Sequence, residues 1–269
     1  MGRDLDIGMD DGCRLRLRID GREGAGSWVV MANSILTDMR VWDAQVPALA
    51  ERHRVLRFDQ RGHGRSDASG DPLDFDRLGA DLLALLNRCG VEAAHFVGLS
   101  MGVPTVLAAL AGAPERFRSV VCVDGHAANR PGGEAFWSGL QKVARDQGMG
   151  ALAAATVARW LKPGDAQGTA GRQLERMIAA TPLDGFLAAA HALKSYDYTA
   201  VANAPGCPLL ALYGDRDTAI AAGMQRDFGA VPGVRFAAVG DAGHLPNYER
   251  PEAFNAQLVA FLEEVDRQP

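Results

Sequence analysis

His95-Phe96-Val97-Gly98-Leu99-Ser100-Met101-Gly102 is the stretch on which the reading of this sequence turns. It opens as a short, largely apolar run of strand character, and from Met101 to Ala111 apolar residues recur at helical spacing. The two are joined through G-x-S-x-G. A turn that sharp holds the serine in a strained backbone conformation, so the residues two places to either side must lack side chains; Gly98 and Gly102 meet that need. Pro104 is tolerated, because in the first turn of a helix its missing N–H has no partner to lose. The five-residue pattern alone arises by chance too often to decide anything. Its strand-turn-helix setting gives it weight.

Outward from this stretch, short β-branched or apolar runs alternate with longer segments of helical period, the signature of βαβ units in a parallel sheet. Strands are predicted over 14–19, 28–32, 55–59, 95–99, 119–124, 209–213 and 234–239, and helices over 42–52, 75–89, 101–111, 221–228 and 251–266. From Asn129 to about Pro205 no run reads as a strand. Helical segments over 134–147, 150–161, 171–180 and 183–194 follow one another there across Gly/Pro turns. The fold class is therefore α/β, a mostly parallel central sheet flanked by helices, with core segments 1–128 and 206–269 and an all-helical cap over 129–205. Such an insertion either covers the carboxyl edge of the sheet as a lid or adds packing at its side.

A serine hydroxyl is a weak nucleophile until a base takes its proton. Of the six histidines, His244 follows the last predicted strand and precedes the terminal helix, so its loop opens on the same sheet edge as Ser100; it is the candidate base. His53 and His95 fall at the opposite edge, in ordinary core or surface positions. His191 lies on an inserted helix, where it either lines a pocket or simply occupies a helix face. The acid that orients the imidazole is sought in Tyr213-Gly214-Asp215-Arg216-Asp217, directly after a strand. Asp217 reaches over the edge, whereas Asp215 suits turn capping or pairing with Arg216. Asp124, at the end of the preceding strand, is a rival, with turn capping its plain alternative. A tetrahedral intermediate requires two N–H donors: the amide of Met101, and one from the loop Ala32-Asn33-Ser34-Ile35-Leu36, assigned to Ser34. The run Asp59-Gln60-Arg61-Gly62-His63-Gly64-Arg65-Ser66 is read as structural, its side chains shaping a turn behind the serine.

Composition narrows the partners. A chain of 269 residues, 48% hydrophobic, suffices for one domain with an inserted subdomain. A net charge of -5, with Lys and Arg spread rather than bunched, offers no stripe for a phosphate backbone, so nucleic acid is not an expected partner. The longest apolar stretches are too short and too interrupted by Gly and Pro to cross a bilayer, and MGRDLDIGMDDG has no apolar signal core. A cytoplasmic protein without a membrane partner is expected. Cys13, Cys89, Cys122 and Cys207 have neither CxxC nor metal-ligand spacing, so free thiols are expected, and neither a metal nor a cofactor.

With these residues in place, the chain resembles the α/β-hydrolase superfamily over nearly its whole length, and within it the 3-oxoadipate enol-lactonases. Asn33-Ser34-Ile35-Leu36-Thr37-Asp38-Met39-Arg40-Val41-Trp42 is similar to that family's N-S-L-G-T-D-x-x-x-W, and Arg54–Asp59, Gly98–Gly102, Arg159-Trp160 and Gly243-His244 followed by Glu249–Phe254 are similar as well. The resemblance implies cofactor-free opening of an unsaturated lactone, with a small-molecule lactone or ester as partner. Such a substrate carries a carboxylate, for which the cap offers Arg130, Lys142, Arg145 and Arg159, while Leu140 stands where the family has Arg. Leu36 and Val103 replace family glycines, which would crowd the shelves beside Ser100, and Asp124-Gly125-His126 replaces a small, uncharged stretch. Asn33, Leu36, His126, Trp137, Trp160 and His191 are the candidate substrate contacts. Other bonds suit the same residues: a C–C bond beside a ketone, an amide, or a perhydrolase reaction. A non-catalytic binding protein is the reading from another class, opposed by the presence of Ser100, Asp217 and His244 together. An exposed apolar face on the cap would serve either a homodimer or substrate entry.

Overall fold

In a computed structural model, which describes residues 2–68 and 72–268, the runs become strands β1 (Arg3–Gly8), β2 (Arg14–Asp20), β3 (Trp28–Ala32), β4 (Arg54–Phe58), β5 (Ala94–Leu99), β6 (Phe117–Val123), β7 (Leu209–Gly214) and β8 (Arg235–Val239). They form one eight-stranded sheet in the order β1-β2-β4-β3-β5-β6-β7-β8. β1 and β2 run antiparallel to their neighbours and the rest are parallel. The predicted runs account for β2 to β8. β1 offers only Leu5 and Ile7 as an apolar face, both half-buried against the core, and on its other side Asp4 and Asp6 pair with Arg16 of β2 at 2.9 and 3.1 Å.

The helices are α1 (Val46–Leu49), α2 (Phe75–Arg88), α3 (Gly102–Gly112), α4 (Gly133–Trp160), α5 (Pro163–Gln167), α6 (Thr169–Ala179), α7 (Leu183–Ala192), α8 (Thr199–Asn203), α9 (Thr218–Phe228), α10 (Pro246–Glu249) and α11 (Pro251–Asp266). The helix predicted over 42–52 is corrected to a 3₁₀ turn over Met39–Trp42 and the single turn α1. Tertiary bonds override helical periodicity there, because Arg57 holds Asp43 and the Gln45 amide is spent on Asn247 and Asn255. α4 to α8 all lie between β6 and β7, and α4 is broken at Gly148 (φ 83°), between the two segments predicted over 134–147 and 150–161.

Alternation along the strands builds two cores. Val29, Val97, Val121 and Leu212 pack on one face with Phe254 and Leu258 of α11 and with the inserted helices, while Val30, Phe96, Val120 and Ala211 pack on the other with α3 and α9. No helix among the described residues is long and apolar enough to cross a membrane. Because β3 and β5 to β8 are parallel, the loops that follow them meet at one edge. Those loops carry Ile35, Ser100, Asp124, Asp217 and His244.

Candidate active site

Ser100 sits between β5 and α3 with φ 53°, its amide bonded to the Val123 carbonyl at 2.8 Å. The reason for the flanking glycines is steric. A Cβ on Gly98 would lie 2.4 Å from the Gly102 carbonyl oxygen, and one on Gly102 would lie 2.3 Å from that of Ala32. His244 Nε2 is 3.0 Å from Ser100 Oγ and His244 Nδ1 is 2.8 Å from Asp217 Oδ2. A proton on Nδ1 satisfies both contacts, with the serine hydroxyl donating to Nε2. Asp217 also caps α9, accepting from the Ile220 amide at 3.3 Å. Burial alone would raise the Asp217 pKa, but its bond to His244, the imidazole's charge and the Ile220 amide hold it below the ordinary carboxylate range.

The inserted helices close over this row. Trp160 tilts against the His244 ring at 5.2 Å between centroids, and its carbonyl accepts from the His244 amide at 2.9 Å. That approach requires Gly243, where a Cβ would stand 2.3 Å from the Trp160 oxygen. Glu249, raised in pKa chiefly by burial, accepts from the Gly243 amide at 2.7 Å and from the Lys162 amide at 3.3 Å, and so ties the histidine loop to the cap. Sequence reasoning had no signal for either tie beyond the Glu249-Arg250-Pro251 match.

A cavity of about 890 Å³ opens beside Ser100, Met101, Asp124, Asp217 and His244. Of the candidate contacts, His126, Trp137 and Trp160 line it. Asn33, Leu36 and His191 do not. Asn33 is fully buried and spends its amide on the Ser34 and Thr37 carbonyls, Leu36 turns into the core at φ 64°, and His191 is exposed on α7. Val103 is likewise buried in the opposite core, so neither it nor Leu36 crowds the cavity. Ser34 is buried outside the lining, and Ile35 takes its place there. The Ser34 carbonyl is bound from inside the loop by Asn33 Nδ2 at 3.1 Å and Thr37 Oγ1 at 2.9 Å. A trans peptide's N–H points opposite to its C=O, so the Ile35 amide faces away from that loop. Gln60 braces it from behind, donating to the Asn33 carbonyl at 2.5 Å and accepting from Thr105 at 2.8 Å.

Among the described residues, Arg159 is the one cation lining the cavity without an ion-pair partner: Arg130 is held by Asp227, Lys162 by Asp241, and Arg216 by Asp215 and Asp241. Arg159 lies over the Phe136 ring, 5.2 Å from its centroid. Its side chain reaches solvent, yet the surrounding walls desolvate the guanidinium enough to lower its pKa, with the charge of Asp217 acting the other way. Lys142 pairs with Asp146 and Arg145 is exposed away from the lining. Asp124, Asp217 and His244 offer atoms within 4.8 Å of one another, the spacing of a metal site, but both imidazole nitrogens are already engaged by Ser100 and Asp217. A second cleft, of about 640 Å³, is walled by Arg/Asp pairs such as Arg57 with Asp20. Thr181, the one hydroxyl among its described lining residues, donates to the Leu36 carbonyl at 3.3 Å.

The chain matches, over residues 27–251, a family model described as alpha/beta hydrolase fold. It is 31% identical to 3-oxoadipate enol-lactonase 1 of Acinetobacter baylyi, over 94% of this chain and 95% of that one. Among solved structures, a hydrolase from Pseudomonas aeruginosa superposes with a TM-score of 0.90 at 32% identity, covering 97% of this chain and 98% of that one. An enol-lactonase from Burkholderia xenovorans does so with a TM-score of 0.90 at 31% identity, covering 96% and 100%.

Proposed function

The chain belongs to the α/β-hydrolase family and is a hydrolase, and from that premise we propose that it opens a small, carboxylate-bearing lactone or ester through an acyl-enzyme on Ser100. His244 Nε2 takes the hydroxyl proton as Oγ attacks the carbonyl carbon, and Asp217 holds the imidazolium that forms. The oxyanion is received by the amides of Met101 and Ile35, one residue beyond the Ser34 position expected from the sequence. Collapse breaks the acyl C–O bond, and His244 returns its proton to the departing alkoxide. In a lactone that alkoxide stays tethered to the acyl group. Water, deprotonated by the same nitrogen, then releases the acid.

The observation that carries this reading is the pair of contacts, 3.0 and 2.8 Å, that link a strained serine to Asp217 at the wall of a cavity. The unpaired Arg159 supports a substrate anion, as does the likeness to proteins named 3-oxoadipate enol-lactonase. A fluorophosphonate probe is expected to label Ser100, and labelling that survives Ser100→Ala defeats the mechanism. A panel of lactones and linear esters, each as free acid and methyl ester, tests the substrate. Arg159→Met should shift the preference for the acid over its methyl ester by about 10–100-fold, the value of one charge-assisted contact. Turnover confined to uncharged linear esters rejects the lactone assignment.

A further inference from the structure

Asp124 is the buried acid that this relay leaves unused. It follows β6, is fully buried, and holds φ at 40°, a left-handed value uncommon outside glycine that aspartate accepts more readily than most residues. Oδ2 accepts from the Gly214 amide at 3.0 Å, whereas Oδ1 has no partner although solvent does not reach it. The group faces Asp217 on the loop after β7, His244 on the loop after β8 and, further off, Glu249 of α10. None of the cavity cations Arg130, Arg159, Lys162 or Arg216 pairs with it. Asp124 is enclosed while Asp217 is only half-buried, and of these two neighbouring carboxyl groups only Asp217 is bonded to the imidazole, so ionisation of one disfavours ionisation of the other. Burial first, then the charge of Asp217, pushes Asp124 well above the ordinary carboxyl range against the single Gly214 bond, while Asp217 is held below it.

We propose that Asp124 is a positioning residue held in reserve for His244, orienting the imidazole from the end of β6 when Asp217 cannot. Where Asn or Ala replaces Asp217, Asp124 gives up its proton to water; with Asp217 present, the charge moves only as Asp217 takes up a proton and Asp124 gives one up, and no other bond changes. The inference rests on the reading of Ser100, His244 and Asp217 given above.

The test is a double-mutant cycle on kcat/KM for whichever ester or lactone the wild type turns over. Asp217→Asn alone should lose about 10²-fold and Asp217→Asn with Asp124→Asn about 10⁴-fold, the cost of a fully lost triad acid. Asp124→Asn should cost at least about 30-fold more in the Asp217→Asn background than in the wild type. The pH profile is the second readout, and it needs no Asp124 variant. With Asp217→Asn, kcat/KM should climb with pH through an ionisation that the wild type lacks, whereas a packing role for Asp124 produces no such step. Asp217→Ala repeats the measurement without a competing amide. Coupling below about 3-fold, or an Asp217→Asn profile without the extra step, overturns the proposal. Ser100→Ala separates the two failures: if it is inactive while the cycle closes, only the reserve role falls, and if it still turns over, the relay itself falls.

Discussion

The sheet carries a cluster of serine, histidine and aspartate at each edge. At the carboxyl edge stand Ser100, His244 and Asp217. At the amino edge, Ser27 Oγ lies 3.1 Å from His53 Nδ1, 3.2 Å from His95 Nε2 and 2.7 Å from Asp266 Oδ2. The residue types agree and the proton directions do not. Asp266 only accepts, so the one hydroxyl proton of Ser27 goes to the carboxylate, and His95 is turned toward Asp266 at 3.0 Å and Ser119 at 2.8 Å. Ser100 gives its proton to an imidazole whose far nitrogen is fixed by the acid. Ser27 also has unstrained backbone and lines neither cleft. The amino-edge cluster fastens the end of α11 to β3, β5 and β6, and the carboxyl-edge cluster faces a cavity. A hydrolytic site is recognised by who holds the proton and what space lies beside it, more than by which residues are near one another.

The sharpest way to break this comparison is to delete each hydroxyl. Ser100→Ala is expected to lower kcat/KM by about 10⁶-fold, and Ser27→Ala by less than about 2-fold, measured on the same substrate. Comparable losses from both would refute the contrast. Acid provides the next largest effect, through a histidine that belongs to neither cluster. His63 is wholly enclosed, and burial lowers its pKa to about 4. The unfolded chain takes up a proton near pH 6.5 while the folded one refuses it, so stability present above pH 6.5 is lost as pH falls toward 4. Denaturant titrations across that window should show a loss larger in the wild type than in His63→Gln by about 3 kcal/mol. Burial lowers the pKa of His53 and His95 too, with Asp266 opposing, so His95→Gln should flatten the same curve in the same direction.

Smaller effects sharpen the contrast from the stability side. Asp266→Ala leaves Ser27, His95 and Arg118 without their acceptor and should cost about 2 kcal/mol by urea midpoint, with fluorophosphonate labelling of Ser100 kept. Ser27→Ala should cost about 1 kcal/mol in the same assay. A stability loss from Ser100→Ala greater than from Asp266→Ala would contradict the assignment, because the serine change keeps the Cβ and the φ of 53° and removes one hydrogen bond, whereas the aspartate change removes three.

The glycines flanking Ser100 and the strands buried on both faces were legible, because each is a local pattern of a few neighbouring residues, and Asp217 and His244 were legible because each follows directly on a strand that ends at the same sheet edge. β1 was not, since its apolar face is only Leu5 and Ile7, and ion pairs with β2 line its other side. The cavity wall divided: His126, Trp137 and Trp160 reach it, while Asn33, Leu36 and His191 turn elsewhere. The orientation of the Ser34–Ile35 peptide plane was not legible, because Thr37 and Asn33 fix it through the loop.

The sequence by itself determined the strand-turn-helix at Ser100, the parallel core and the helical insertion, because period, glycine spacing and turn residues act within a few positions of the chain. Only the tertiary structure decided which cation faces the cavity unpaired, which of two Ser/His/Asp clusters has its serine proton directed to an imidazole, and that Asp124 lies beside Asp217. Those properties depend on the distance and direction between groups on different loops, and chain folding sets both: 144 residues separate Ser100 from a histidine 3.0 Å away.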